Sequence, residues 1–167
     1  MSFLMTATPI NMHVIEHYSL NKTSIVIQLH IISMFLPSLI TGNLLKKFGH
    51  SKIIYAGVTF YILTILLSFL EPTFFNYMLA LVFLGLGWNF LYLSGTGLLV
   101  LSYREEEKFK AQGFNDILVF SIQAVASLSA GYMLSMTGWK TMNLIAIPFL
   151  VLIIFFSIRA DLSKNDK

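Results

Sequence analysis

The sequence predicts an all-α fold, a polytopic bundle of transmembrane helices. Three observations predict it. Apolar runs of 18 or more residues recur along the 167-residue chain, each long enough to span a hydrocarbon core of about 30 Å. Only 11% of the residues are charged and 56% are hydrophobic, with a mean hydropathy of +0.76. A soluble domain carries roughly 25% charged residues, so this chain has too few to coat its own surface. The charges it does have lie in short segments between the apolar runs. A net charge of +3 spread in that way is no nucleic-acid footprint. In lipid each backbone N–H and C=O needs a partner within its own segment, so the spans are expected to be helices.

Residues 1–10 are apolar but too short to cross a bilayer. Asn11, His13, Glu16, His17 and Lys22 then read as a polar connection closing a partial first helix, over 1–20. Complete spans fit 24–45, 53–70, 75–103, 114–136 and 142–158. Glu71-Pro72 stops the second. The third is long enough to tilt or protrude. Residues 104–112 form a charged loop or short surface helix. Gly138-Trp139-Lys140 turns the chain, and 159–167 is a polar tail. Pro37 and Pro148 fall inside spans and are kink positions. No cleavable signal peptide is visible, since the N-terminus lacks a basic n-region.

Orientation follows from Lys and Arg. Alternate connections carry Lys46, Lys47 and Lys52; Arg104, Lys108 and Lys110; Arg159, Lys164 and Lys167, nine in all. The opposite side has Lys22 and Lys140. The basic side is expected in the cytoplasm, with the C-terminus, in a cell (cytoplasmic) membrane.

The basic segment 42–52, GNLLKKFGHSK, resembles the signature loop of the major facilitator superfamily, Gly-x-Leu-x-Asp-Arg-x-Gly-Arg-Arg/Lys. Gly42, Leu44 and Gly49 match, Lys47 keeps the Arg charge, and His50 and Lys52 keep a basic flavour. Lys46 stands where the family has Asp. A second segment, 130–139, repeats the pattern of 41–50: small-Gly-x-apolar-Leu-x-x-x-Gly, 89 residues on. By the expected topology the first copy exits inward and the second outward, which is how inverted three-helix repeats are arranged. Chance similarity of two Gly-terminated helices is the alternative.

Over nearly its whole length the chain resembles the C-terminal half of such a transporter, helices seven to twelve, with helix seven incomplete. Met1 then falls within the bilayer. That suggests a truncated gene, a misassigned start or one piece of a split transporter.

Polar groups at membrane depth are costly and informative. Spans one, three and four carry stripes at helical spacing: His30, Ser33, Pro37, Thr41; Gly85, Asn89, Tyr92, Thr96; Asp116, Phe120, Gln123, Ser127. Spans two and five are nearly pure apolar. The resemblance makes the striped spans pathway-lining and the others lipid-facing. His30, Ser33, Asn89, Tyr92, Thr96, Gln123 and Ser127 are thus the substrate-pathway candidates. His30 and Asn89 read equally as hydrogen-bonding glue between helices. Asp116 reads as a helix N-terminal charge with Asn115 as cap, or as a cytoplasmic gate residue.

No catalytic residue is assigned, and an intramembrane enzyme using His30 and Asp116 is the weakest reading because the two lie near opposite faces. No Walker loop is present, which argues against ATP-driven transport by this chain. His13 and His17 flank Glu16 in HVIEH, but no third ligand is evident, and the chain has no Cys; no metal and no cofactor are expected. The function expected is a fragment or half of a secondary transporter moving a small solute by alternating access. The alternative is a non-transport membrane subunit that stabilises a partner complex. The expected partners are the lipid bilayer, an unidentified small-molecule substrate, and a missing N-terminal half or a second copy.

Overall fold

The computed structural model describes residues 1–165, with side chains as far as Arg159. Every element among the described residues is helical. α1 (Ser2–Ile10) continues into a π-helical turn, Asn11–Ile15. α2 (Leu20–Phe35) and α3 (Ser38–Phe48) follow, then α4 (His50–Ser68) and α5 (Phe74–Val100). A 3-10 turn at Glu105–Glu107 leads into α6 (Lys108–Leu144), and α7 (Ile147–Asn165) ends the described chain.

Proline and glycine set the breaks. Pro37 has no N–H and its ring crowds the preceding turn. The expected span 24–45 is therefore a bent pair, α2 and α3 meeting at 41°. Pro148 sits in the first turn of α7, just after a two-residue break, where a missing N–H does least harm. Ser19 and Thr73 cap α2 and α5, their side chains accepting from the backbone N–H of Lys22 and Asn76.

Gly49 and Gly138 do the same job 89 residues apart. Gly49 has φ 83 and ψ 163; Gly138 has φ 75 and ψ 167. A side chain is strained at such a φ, and glycine is not. Each residue is the single link between two helical segments, and four residues before each link stands the matching Leu, Leu45 and Leu134. The 42–52 segment is thus not a loop. It is helical to Phe48 and again from His50, because its Leu and Lys residues are good helix formers and only Gly49 leaves the helical region.

Three helical stretches are long and apolar enough to cross a bilayer, His50–Ser68, Phe74–Val100 and Glu105–Arg159, and the bent pair makes a fourth. The last of the three has 55 residues, about 80 Å if straight. It doubles back instead. Ser121 and Ile153, on either side of Gly138, line one cavity of about 620 Å³ together with Tyr61 and Leu91.

Other sequence expectations shift. The polar connection after residue 10 stays helical through Ile15, because Asn11 is buried and its amide bonds the Tyr77 hydroxyl. α5 ends at Val100 rather than at Tyr103, whose hydroxyl accepts from the Gln112 amide at 2.6 Å. α6 begins at Lys108, so Asn115 is no cap; Asn115 and Asp116 lie two turns inside the helix. The expected tail continues as helix to Asn165, since no Gly or Pro interrupts it, and residues 166–167 lie outside the described residues.

Packing centres on α5, which lies against α4 on one side and α2 on another, while α1 lies along α6. Gly57 and Gly87 let α4 and α5 approach until a Cβ on Gly87 would sit 3.0 Å from the Gly57 carbonyl oxygen. Two ends emerge. Glu16, Glu71, Gly138 and Lys140 line one cavity, of about 410 Å³. Ser51, Leu98 and Ser157 line another, of about 440 Å³, at the opposite ends of the same helices.

Candidate functional site

The polar candidates fall into three groups. The first is a sealed seam between the bent pair and α5. His30 is fully buried, and its Nδ1 lies 2.7 Å from the Leu81 carbonyl oxygen. As the donor to a carbonyl, that nitrogen carries the proton in the neutral ring, and Nε2 is left without a partner among the described residues. The Ser33 hydroxyl donates to the His30 carbonyl at 2.7 Å. Opposite stands Gly85, where a Cβ would collide with the Ser33 hydroxyl and lie 2.7 Å from that same carbonyl oxygen. The approach of α2 to α5 needs a residue without a side chain there.

Asn89 is the centre of the seam. Its Nδ2 donates to the Met34 carbonyl at 2.7 Å and to the Ser38 hydroxyl at 2.7 Å. Its Oδ1 accepts from the Thr41 hydroxyl at 2.8 Å, and that hydroxyl also reaches the Pro37 carbonyl at 2.8 Å. Met34 belongs to α2 and Ser38 and Thr41 to α3. One amide therefore holds both sides of the break that Pro37 makes. Each of its hydrogen-bonding groups is used, which is what a buried amide in an apolar surrounding requires.

The second group lies on the open side of α5. Tyr92 and Thr96 are half-buried, and the Tyr92 ring stacks on Trp88 with centroids 4.7 Å apart and planes 8° apart. The third group is on α6. The Ser127 hydroxyl lies 2.6 Å from that of Thr6 on α1, and Gln123 is half-buried one turn earlier. The structure brings His30, Ser33 and Asn89 together; it does not bring them to Gln123 or Ser127. Asp116 is exposed and makes no ion pair among the described residues; the Asn115 amide lies 3.3 Å away.

In the signature segment, Lys46 and Lys47 close α3, where cations complement the helix dipole. Lys47 also lies 5.2 Å from the Phe48 ring centre. Leu44 is half-buried, and Gly42 and Lys52 are exposed. The His50 ring covers Gly97, where a Cβ would sit 2.6 Å from its Nε2. That ties the segment to α5. Sequence reasoning missed Thr6, Asn11, Tyr77 and Trp88. Trp88 had a signal, because it stands four residues before Tyr92 on a helix. Asn11 had none, because its partner is 66 residues away.

Comparison with known proteins decides the family. The family model for the Major Facilitator Superfamily matches residues 1–167. The chain belongs to the major facilitator superfamily. It is 36% identical over 154 residues to the riboflavin transporter RfnT of Brucella anthropi, across 92% of this chain and 38% of that protein. It is 33% identical over 146 residues to the uncharacterised MFS-type transporter YddS of Bacillus subtilis, across 86% of this chain and 33% of that protein. YdeG of the same organism is similar at 33% over 144 residues, with 85% and 33% covered. The chain thus spans about a third of these relatives' length. No solved structure matches it. It is a multi-pass membrane protein of a transporter family, not an enzyme.

Proposed function

We propose that this chain is the C-terminal half of a secondary transporter that moves a small solute across the cytoplasmic membrane by alternating access. The observation that carries this is the pair of matched links at Gly49 and Gly138. Each joins two apolar passages, and the passages run in opposite senses, as in the inverted repeats on which rocking transporters are built. The end bearing Lys46, Lys47 and Lys52 faces the cytoplasm in this reading, and the end bearing Glu71 and Lys140 faces out. The relative that transports riboflavin makes a flavin-like solute the first candidate. A complementary N-terminal half covers the apolar, exposed side of α6, where Phe114, Ile117 and Leu128 are exposed.

The chain has no Cys, so single probes report cleanly. Ser102→Cys is expected to react with an impermeant maleimide only after the cells are opened, and Thr141→Cys in intact cells. The reverse pattern overturns the orientation. Proteoliposomes test the transport reading. The chain alone is expected to give no saturable riboflavin flux, and the chain reconstituted with a complementary half is expected to give it. Gradient-driven flux by the chain alone would show that no second half is needed.

A further inference from the structure

We propose that Trp88 and Tyr92, with Phe35 at their edge, form a stacking ledge that holds the planar aromatic ring of the transported solute. The proposal rests on the transporter reading above and names its recognition surface.

Position comes first. At about 100° per residue along α5, Gly85 and Asn89 point to α2 and α3, as their contacts show. Tyr77 points to the π-helical turn after α1, where it bonds Asn11, and Leu91 lies against Gly57 of α4. Trp88 and Tyr92 fall in the sector between these two faces. They are half-buried, and Trp88 touches α2 through the Phe35 ring. The ledge therefore lies on the flank of α5 next to the end of α2, where Phe35 stands.

Geometry comes second. The rings of Trp88 and Tyr92 are nearly parallel, 4.7 Å apart, and Phe35 meets Trp88 edge-on at 6.2 Å and 69°. Phe35 is largely exposed, at the end of α2 where the chain breaks before Pro37. Aromatic rings left parallel and partly exposed offer a further planar ring a stacking partner, with low entropy loss because each has only two side-chain torsions. Thr96, one turn beyond Tyr92, adds a half-buried hydroxyl at the rim. The chemistry that fits is a flat aromatic heterocycle with a polar substituent. An open-chain polyol or an amino acid without a ring has no flat face to lay on such a surface.

The test uses the full chain in lipid nanodiscs. Trp88 and Trp139 are its two tryptophans, so Trp139→Phe leaves Trp88 as the reporter. Riboflavin, and lumichrome (its ring system without the ribityl chain), are expected to quench Trp88 emission saturably, and ribitol is not. Trp88→Leu and Tyr92→Leu, read by flavin fluorescence, are expected to weaken binding about tenfold. Trp88→Phe and Tyr92→Phe should stay near the parent, and elution and helicity check that each variant folds. Equal affinity across all variants overturns the ledge, as does absence of quenching by riboflavin up to its solubility limit. Flux separates the two claims. Transport of a solute without a ring, with Trp88 emission unchanged, removes the ledge and keeps the transporter. Ring binding without flux in any assembled form keeps the ledge and removes the transporter.

Discussion

The seam of α2, α3 and α5 and the pairing of α1 with α6 solve the same problem with unequal means. In the seam, Asn89 alone makes three hydrogen bonds, and Gly85 admits the backbone of α2 to within touching distance. Along α6, one hydroxyl pair, Thr6 with Ser127, is the polar tie to α1 among the described residues, and the rest is apolar packing of buried Leu4, Ala7, Ala130 and Leu134. Phe114, Ile117, Leu128 and Tyr132 of α6 are left more than half exposed. In a bilayer apolar exposure costs little, whereas an unpaired polar group costs much. The broken span is therefore where specific chemistry concentrates. α6 is held to α1 mainly by apolar packing, and its outer face is free to take a neighbour, lipid or protein.

The largest expected effect tests the tight side. Gly85→Leu drives a side chain into the Ser33 hydroxyl and the His30 carbonyl. It should separate α2 from α5 and destabilise the chain by about 3 kcal/mol or more. Gly95→Leu lies on the same helix, where an added Cβ would meet nothing within 4 Å, and should leave stability unchanged. Unfolding in mixed detergent micelles measures both. Equal effects would mean that the seam is no tighter than the open face.

Next is Asn89→Leu. It removes one amide and strands the Met34 carbonyl and the Ser38 hydroxyl, while the Thr41 hydroxyl keeps the Pro37 carbonyl. A loss of about 2 kcal/mol is expected. The angle between α2 and α3 should also widen its distribution, measured by spin labels placed on Ile25 and Ile40, both exposed. A narrow, unchanged distance distribution would show that Pro37 alone fixes the bend.

The linking glycines come third. Gly49→Ala and Gly138→Ala each put a side chain at positive φ with extended ψ, at a cost of about 1–3 kcal/mol. The repeat predicts that the two costs agree. A large difference would say that the shared backbone shape arises from unrelated surroundings.

These contrasts show what was legible in the sequence and what was not. Membrane helices were legible because lipid leaves the backbone no other choice, and the repeat was legible because Gly49 and Gly138 are needed for a backbone shape that few residues adopt. Helix ends were less so. The 42–52 segment reads as a loop because a run of charge resembles irregular chain, yet Lys46 and Lys47 finish a helix and only Gly49 leaves it. Asn115 and Asp116 read as a cap because such residues favour caps, but α6 has already started at Lys108. Stripes locate polar residues on a face without saying what the face meets. His30, Asn89 and Ser127 share a periodicity argument, but two of them meet α5 or the broken span and the third meets α1, and those partners are 48 to 121 residues away.

The smallest expected effect lies on the side of α6. Ser127→Ala removes one partner of the Thr6 hydroxyl and leaves a helix pair with few other polar ties. Interhelical hydrogen bonds in membranes contribute about 0.6 kcal/mol on average. The Thr6 hydroxyl can turn to a carbonyl of its own helix, as the neighbouring Thr8 does with Leu4 at 2.7 Å. A loss near that average, or below it, is therefore expected. The double variant Thr6→Ala with Ser127→Ala should cost no more than either single change, because once one hydroxyl is gone the other has no tie left to lose. A double-mutant cycle with a coupling energy of about 2 kcal/mol would show instead that this single contact anchors α6 as firmly as Asn89 anchors the broken span, and the contrast between the two regions would fail.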